Sequence, residues 1–387
     1  MKFAFVSTMY GTKWGGSEEL WSQTACRLKK EGHDVFVSVA YWLRESKRIA
    51  ELANLGAQIE THSPHEPSRA RQIHDRLLYG GPRVYERLKQ FEPDLAIISQ
   101  GGNGGGFDWA KVFRQMSLPY VIIVNCNSDH WWFGEQFGDA FDAYTASQRI
   151  FCVSHSNLDL LGVQLGEPLL NAEVVQNPFN VSTEPLRGWP DENAGWRFAC
   201  VARLAAGAKG QDLLLQTLAR PEWRDRPIEL NLYGDGPDEL ALRRISAMMH
   251  IENVCFCGHV SDVRSIWASN HLLVLPSRFE GLPLALVEAM WCGRPAVVTD
   301  VGGNAELCID GVTGFVARAA LLSSFSQTLE RAWDMRMNWE QMGRKARSRV
   351  ESQISKDPVG VFSERLKACV QTKSHLEPVA RTMIVNR

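Results

Sequence analysis

What this chain lacks narrows its class before any motif is read. No run of about 18 apolar residues occurs in the 387-residue sequence, so no membrane-spanning helix is expected. The opening Met1-Lys2-Phe3-Ala4-Phe5-Val6 is too short for the apolar core of a signal peptide. Charge of neither sign dominates: 42 basic and 44 acidic side chains leave a formal net charge of −2, which argues against an electrostatic nucleic-acid binder. The cysteines make no paired framework. There are nine, an odd number, scattered from Cys26 to Cys369, and Cys255-Phe256-Cys257 is too close for metal-finger spacing and reads as strand. A reducing, cytoplasmic setting follows as the expectation. No Asp-x-Asp pair is present to hold a divalent metal, so no metal is expected, and no complete Gly-x-Gly-x-x-Gly is present. The second candidate strand also ends Ala40-Tyr41-Trp42, without the acid that would hold an adenosine ribose, which counts further against a nicotinamide-binding domain.

What is there is a chain long enough for two cores. At 387 residues, 45% of them hydrophobic, two domains are expected. Strand and helix patterns alternate from the start, the mark of parallel α/β architecture. Phe3–Ser7 reads as a strand, Gly11–Gly16 as a loop, and Ser17–Lys30 as a helix capped by Ser17 with Glu18 and Glu19 in its first turn. Val35–Ala40, Leu95–Ser99, Tyr120–Val124 and Phe151–Ser154 follow as strands, the last completing a first sheet. Pro185–Gly195 is turn-rich and polar, as a linker should be. A second sheet takes Arg197–Val201, Ile228–Tyr233, Val254–Cys257, Leu272–Leu275 and Ala296–Thr299, and helices are expected over Leu321–Trp333, Trp339–Val350 and Val359–Val370.

The most informative segment is Phe279-Glu280-Gly281-Leu282-Pro283-Leu284-Ala285-Leu286-Val287-Glu288-Ala289-Met290. It follows a buried strand, and Pro283 suits a first helical position because its missing N–H has no partner there. Glu280 then lies on the loop at the carboxyl end of a parallel strand, where open α/β sheets bind ligands. Glu288 is an oddity in an apolar helix: either one edge of that helix is wet, or hydrogen-bond donors, ligand hydroxyls among them, meet the carboxylate. Downstream, Asp300-Val301-Gly302-Gly303-Asn304-Ala305-Glu306 offers a glycine pair through which backbone N–H groups can approach a ligand. Upstream, Arg203 and Lys209 follow the first strand of the second sheet and bring two cations to the same edge.

Together these motifs resemble the donor-binding domain of retaining GT-B glycosyltransferases of family 4, which carry two glutamates separated by seven residues and an Arg and a Lys after that domain's first strand. The resemblance covers Arg197 to Val316 well and is traceable over the first 180 or so residues. It implies two Rossmann-like domains facing across a cleft: 1–180 on the acceptor side, 181–357 binding the donor, and 358–387 with a helix crossing back to the first domain, plus a tail. Asn177-Pro178-Phe179-Asn180 resembles the step at which family members leave the first domain. The implied activity is transfer of a sugar, with retention, from a nucleotide-diphosphate sugar to a carbohydrate, lipid-linked or small hydroxyl acceptor. A catalytically silent nucleotide-sugar binder and a nucleotide-sugar epimerase on the same fold are the alternatives.

The chemistry asks for groups that stabilise a departing diphosphate, and protein charge must do this where no metal does. Arg203 can fork onto phosphate oxygens, Lys209 can supply a point charge, and the helix start at Pro283 adds free N–H groups. Four residues stand between Leu204 and Lys209 where the resembled pattern has three. By the resemblance, Glu280 faces the donor sugar with Gly281 and Leu282 beside it, Glu288 takes the ribose hydroxyls, and His259 and Val260 meet the base. Gly234, in Gly234-Asp235-Gly236-Pro237, reads equally as a simple turn or a donor contact. Gly15 and Gly16 should bring backbone N–H groups to the diphosphate from the first domain. On the acceptor side the resembled enzymes end the Tyr120–Val124 strand with a His, which is missing here; Asn127, Asp129, His130 and Trp131 are candidates for the vacated place, with Trp131 or Trp132 able to stack on a sugar. The basic residues Arg69, Arg71, Arg76, Arg83, Arg87 and Lys89 read either as a solvated helix face or as a peripheral contact with an anionic membrane.

Overall fold

The protein's computed structural model describes residues 1–9, 14–62, 83–186, 188–193 and 195–372. Runs rich in Val, Ile, Leu and Phe build two wholly parallel sheets, each covered on both faces by helices, which is why their strands read as near-continuous apolar runs. The first sheet has seven strands: β1 (Lys2–Ser7), β2 (Asp34–Ala40), β3 (Gln58–His62), β4 (Leu95–Gln100), β5 (Tyr120–Val124), β6 (Arg149–Cys152) and β7 (Ala172–Val174), in the order β3-β2-β1-β4-β5-β6-β7. The second has six: β8 (Trp196–Val201), β9 (Ile228–Tyr233), β10 (Val254–Gly258), β11 (Leu272–Leu275), β12 (Ala296–Thr299) and β13 (Gly314–Ala317), in the order β10-β9-β8-β11-β12-β13. In each sheet the strand order reverses once, between β1 and β4 and between β8 and β11. Those two switch points open the crevices where such sheets take ligands.

Three strands escaped the sequence reading, and all are short edge strands. β3, Gln-Ile-Glu-Thr-His, alternates polar and apolar; β7 has three residues; β13 opens on Gly314. β7, not the Phe151 strand, therefore completes the first sheet. The first long helix also differs. A 3-10 turn over Gly16–Glu18 precedes it, the helix runs Glu19–Lys30, and Ser17 makes no cap; its hydroxyl faces the Met9 sulfur instead. Glu18 is consequently not in an exposed first turn. It is fully buried, accepts a hydrogen bond from the Trp21 indole at 3.0 Å, and burial pushes its carboxyl up to about 7. Of the basic segment, Arg69, Arg71 and Arg76 lie outside the described residues; Arg87 pairs with Glu60 on β3 and Lys89 is exposed.

The chain returns to the first domain through the helix Pro358–Thr372, whose Phe362, Leu366 and Cys369 join the core formed by β1, β2 and the Glu19–Lys30 helix. Phe362 meets Phe151 edge-on at 5.0 Å, and Lys367 pairs with Glu31 at 3.0 Å. The domains also touch directly at their carboxyl edges. Gly281, just past β11, lies so close to the Asn125 carbonyl just past β5 that a Cβ there would run into that oxygen. Across the same seam the rings of Trp131 and Phe279 meet edge to face at 4.6 Å, and Gly16 packs on Leu284.

Gly281→Ala tests this seam. A methyl has nowhere to go, and overpacking of this kind costs about 1–3 kcal/mol. We expect a lower Tm and a larger radius of gyration by X-ray scattering, with an unchanged far-UV circular dichroism spectrum; a variant as compact and as stable as the parent would contradict the close approach.

Candidate active site

Adjacent strands β8 and β11 carry the loops that meet at the second switch point. The loop after β8 holds Arg203, then makes a single helical turn, Ala206–Lys209, before Gly210 reverses the chain into a new helix, Gln211–Leu218. Lys209 thus ends a helical turn of its own. Gly210 sits at φ +68°, with the Pro276 carbonyl where a Cβ would be, so only glycine fits. Arg278 braces the turn from β11's side: it forks onto Asp212 at 2.7 and 2.8 Å and donates to the Ala206 carbonyl at 2.6 Å.

This scaffolding delivers Lys209 to Glu280. The Lys209 Nζ donates to Glu280 Oε1 at 2.6 Å, and the Ser277 hydroxyl donates to the same oxygen at 2.8 Å. Glu280 is only 6% exposed, and that ammonium is the cation that meets its carboxylate. Arg203 stands at the mouth, exposed, with no side-chain partner among the described residues. Leu282 packs on the second core. Pro283 lies one residue before the helix rather than in it, with extended backbone at ψ 126°, and its carbonyl accepts from Leu286. The helix Leu284–Trp291 then carries Glu288 inward, where it is 4% exposed and has no wet edge. Its Oε1 accepts from the Asn180 N–H at 2.9 Å, and Phe179 stacks on Trp291 at 5.4 Å, so the crossing between domains packs directly on this helix. Burial pushes the Glu288 carboxyl up to about 7, partly offset by Asn180.

Other expected site residues fall differently. Within the glycine pair the Gly303 N–H donates to the Gly281 carbonyl at 2.6 Å, and Gly302 packs on the Glu280 and Gly281 backbone, so the pair buttresses the glutamate loop. Gly234 also serves as a turn: its N–H is taken by the Gly258 carbonyl at 2.8 Å, and it abuts the Ala202 carbonyl. His259 is exposed and Val260 half-buried just past β10. Gly15 and Gly16 stand at the first switch point, opposite Leu284.

The acceptor-side candidates divide sharply. Asn127 is buried and committed, donating to Gln164 and accepting from the Ser128 N–H, so it is structural. Asp129 and His130 point to solvent with side chains 79% and 86% exposed, 3.6 Å apart. Trp131 lies on the seam against Phe279. Cys126, just past β5, is half-buried and no motif singled it out; burial, then the nearby Glu280 charge, push its thiol up to about 12. Ser277 was missed as well, because a serine after a strand carries no signal until Glu280 is seen to bend back onto it. Two crevices, of about 740 and 640 Å³, lie away from the seam. One is at the amino ends of β5 and β6 beside Tyr120 and Arg149, and the other is behind the crossing between Arg27, Phe179 and Lys356. Among the described residues no cluster of three or more His, Cys, Asp or Glu has the arrangement to hold a metal ion, and no helix is long and apolar enough to cross a membrane.

Residues 196–334, the second sheet and the glutamate loop, match the family described as glycosyl transferases group 1. The family match is confined to those residues, while the chain as a whole has the GT-B fold. An uncharacterized glycosyltransferase of Methanocaldococcus jannaschii is 32% identical over 217 residues, 54% of this chain and 56% of that one. The D-inositol 3-phosphate glycosyltransferase of Paenarthrobacter aurescens is 26% identical over 258 residues, covering 63% and 59%. The matched stretches thus span little more than half of those relatives. In three dimensions the likeness extends over both domains: HepE of Anabaena, solved with UDP, superposes with a TM-score of 0.74 at 17% identity, covering 96% of this chain and all of HepE. The Lys209–Glu280 contact and Glu288 both lie inside the family-matched stretch.

The Glu288 carboxyl makes a prediction in its own right. The folded chain holds this proton up to about pH 7, whereas the unfolded chain releases it near 4.5, so its contribution to stability falls as pH rises through that window. In Glu288→Gln that loss, roughly 3 kcal/mol at most, should vanish from the difference between pH 5 and pH 8 in urea unfolding. Identical pH profiles for the two proteins would show that the carboxyl is not perturbed.

Proposed function

We propose that this protein transfers a sugar from a nucleotide-diphosphate donor to a hydroxyl acceptor, retaining the anomeric configuration and using protein cations where other transferases use a metal. The observation that carries the reading is the buried Lys209–Glu280 contact at the β8–β11 switch point, with the unpartnered Arg203 beside it. A diphosphate reaching this edge would draw the Lys209 ammonium and the Arg203 guanidinium onto its oxygens. Glu280 Oε1 would then exchange its ammonium partner for hydroxyls of the donor sugar, while Ser277 keeps the carboxylate aimed. Glu288, held by Asn180 at the crossing, would accept from the ribose diol. Those hydroxyl donors favour the ionised form, so donor binding should draw off the proton that burial retains.

In the transfer step the bond from the anomeric carbon to the diphosphate oxygen breaks, and the acceptor oxygen bonds to that carbon on the same face. The acceptor's proton passes to a diphosphate oxygen. In this reading no side chain of the first domain is required as base. Uridine is the first base to test, since HepE was solved with UDP, and carbohydrate, lipid-linked and small hydroxyl compounds are the acceptors to screen. A cytoplasmic site of action, at the inner face of a membrane where the acceptor is lipid-linked, belongs to the same proposal and rests on nine cysteines without a bridge.

Two experiments test this reading. Arg203→Ala and Lys209→Ala should each lower turnover by roughly a hundredfold or more and weaken UDP binding, since one preorganised charge is worth a few kcal/mol at the transition state; in the parent, turnover should persist in EDTA. Near-normal turnover in either variant, or EDTA inhibition reversed by magnesium or manganese, contradicts the cation assignment. Proton NMR of the new linkage, recorded before mutarotation, should show the anomer of the donor, and an inverted product overturns the stereochemical claim.

A further inference from the structure

The loop that carries Glu280 is held from both sides of the cleft. Its side chain is fixed by Lys209 and Ser277 of its own domain, but its backbone carbonyl accepts a hydrogen bond from Asn157 Nδ2 of the other, at 3.3 Å. Asn157 is buried in the first turn of the helix His155–Leu165, whose Ser154 caps the Asn157 N–H at 3.2 Å. One residue earlier, the Ser156 N–H donates to Glu306 Oε1 at 2.9 Å, so a carboxylate of the second domain caps a helix of the first. A negative charge at a helix N-terminus is favourable both as an acceptor and against the helix dipole. Glu306 is itself braced, because Arg349 donates to the carbonyls of Glu306 and Leu307 at 2.5 and 2.9 Å. Backbone fits to the same end: Gly303 leaves no room for a Cβ between Ser154 and Leu282, and Gly281 rests on Asn125.

We infer that Glu306 and Asn157 are positioning residues that fasten the start of the His155–Leu165 helix onto the Glu280 loop, so that Glu280 is fully held only when the two domains are shut against each other. Both act through the Glu280 loop rather than on a substrate. The role in turnover rests on Glu280 facing the donor sugar, whereas the latch between domains stands on geometry alone. Opening the cleft returns the Ser156 N–H and the Glu280 carbonyl to water together, which ties closure to the order of the catalytic loop.

The test uses the full chain and two readouts. Without any ligand, Glu306→Ala and Asn157→Ala should increase the radius of gyration in X-ray scattering. In the transfer assay they should lower kcat by about two- to thirtyfold, the equivalent of about 0.5–2 kcal/mol for losing one cap or one buried hydrogen bond, with UDP dissociation constants close to the parent's. Glu306→Gln keeps an acceptor oxygen and should recover most of both effects, which a merely structural change at this position would not do. Unchanged scattering in both alanine variants, or Glu306→Gln behaving like Glu306→Ala, overturns the latch. If the parent neither binds UDP nor transfers sugar, the functional reading fails while the scattering still decides the latch. Should Glu306→Ala not fold, Asn157→Ala and Glu306→Gln carry the same comparison.

Discussion

A carboxylate shut away from water must be met by a cation or by donors, and Glu280 is met by Lys209. Much of the second domain follows from keeping that contact. β8 and β11 are neighbours, so their loops emerge side by side. Gly210 allows the chain to turn within reach of Pro276, Arg278 anchors the single helical turn that ends in Lys209, and Thr299 on the next strand fixes Ser277 through its carbonyl at 2.5 Å. The pair also stores a competition. An anion that takes the ammonium must be replaced at Glu280 by hydroxyl donors, so diphosphate and sugar are wanted together rather than singly.

The two glutamates of the motif live in opposite environments eight positions apart. Glu280 has a cation and a hydroxyl on one oxygen. Glu288 has only the Asn180 amide groups to set against its burial, and its proton affinity rises accordingly. Placing two carboxylates in unlike surroundings is a recurrent way to give them unlike tasks. Here it separates a group that starts out paired with a cation from one that waits for diol donors, and it links the second to the chain crossing through Asn180.

Much of the architecture was legible because buried parallel strands advertise themselves: Tyr120–Val124 and Leu272–Leu275 have no polar position to misread. The edge strands were hidden for the converse reason. Gln58–His62 is mostly half-buried and alternates polar and apolar residues like a surface segment, while Ala172–Val174 is too short to show a period. At the site, spacing was enough to bring Arg203, Lys209 and Glu280 to one sheet edge. It could not show that Gly302 and Gly303 are consumed in supporting the glutamate loop, since a glycine pair looks alike whether it approaches a ligand or another backbone. Nor could it show that His130 turns to solvent. Which side chain at the end of β5 turns inward depends on the local path of Asn125 to Ser128, and that path is set by Asn127 bonding Gln164, thirty-seven residues away in sequence.

Glu18 shows the limit of local signals most plainly. An acid early in a helix reads as a favourable first-turn charge, yet the turn Gly16–Glu18 rolls it beneath Trp21, where one of its oxygens finds no partner among the described residues. The account as a whole stands on where a donor nucleotide sits, and a crystal structure of the protein with UDP answers that directly. It should place the diphosphate against Lys209 and Arg203 and the ribose hydroxyls on Glu288; a nucleotide bound elsewhere, with the Lys209–Glu280 contact undisturbed, would contradict it.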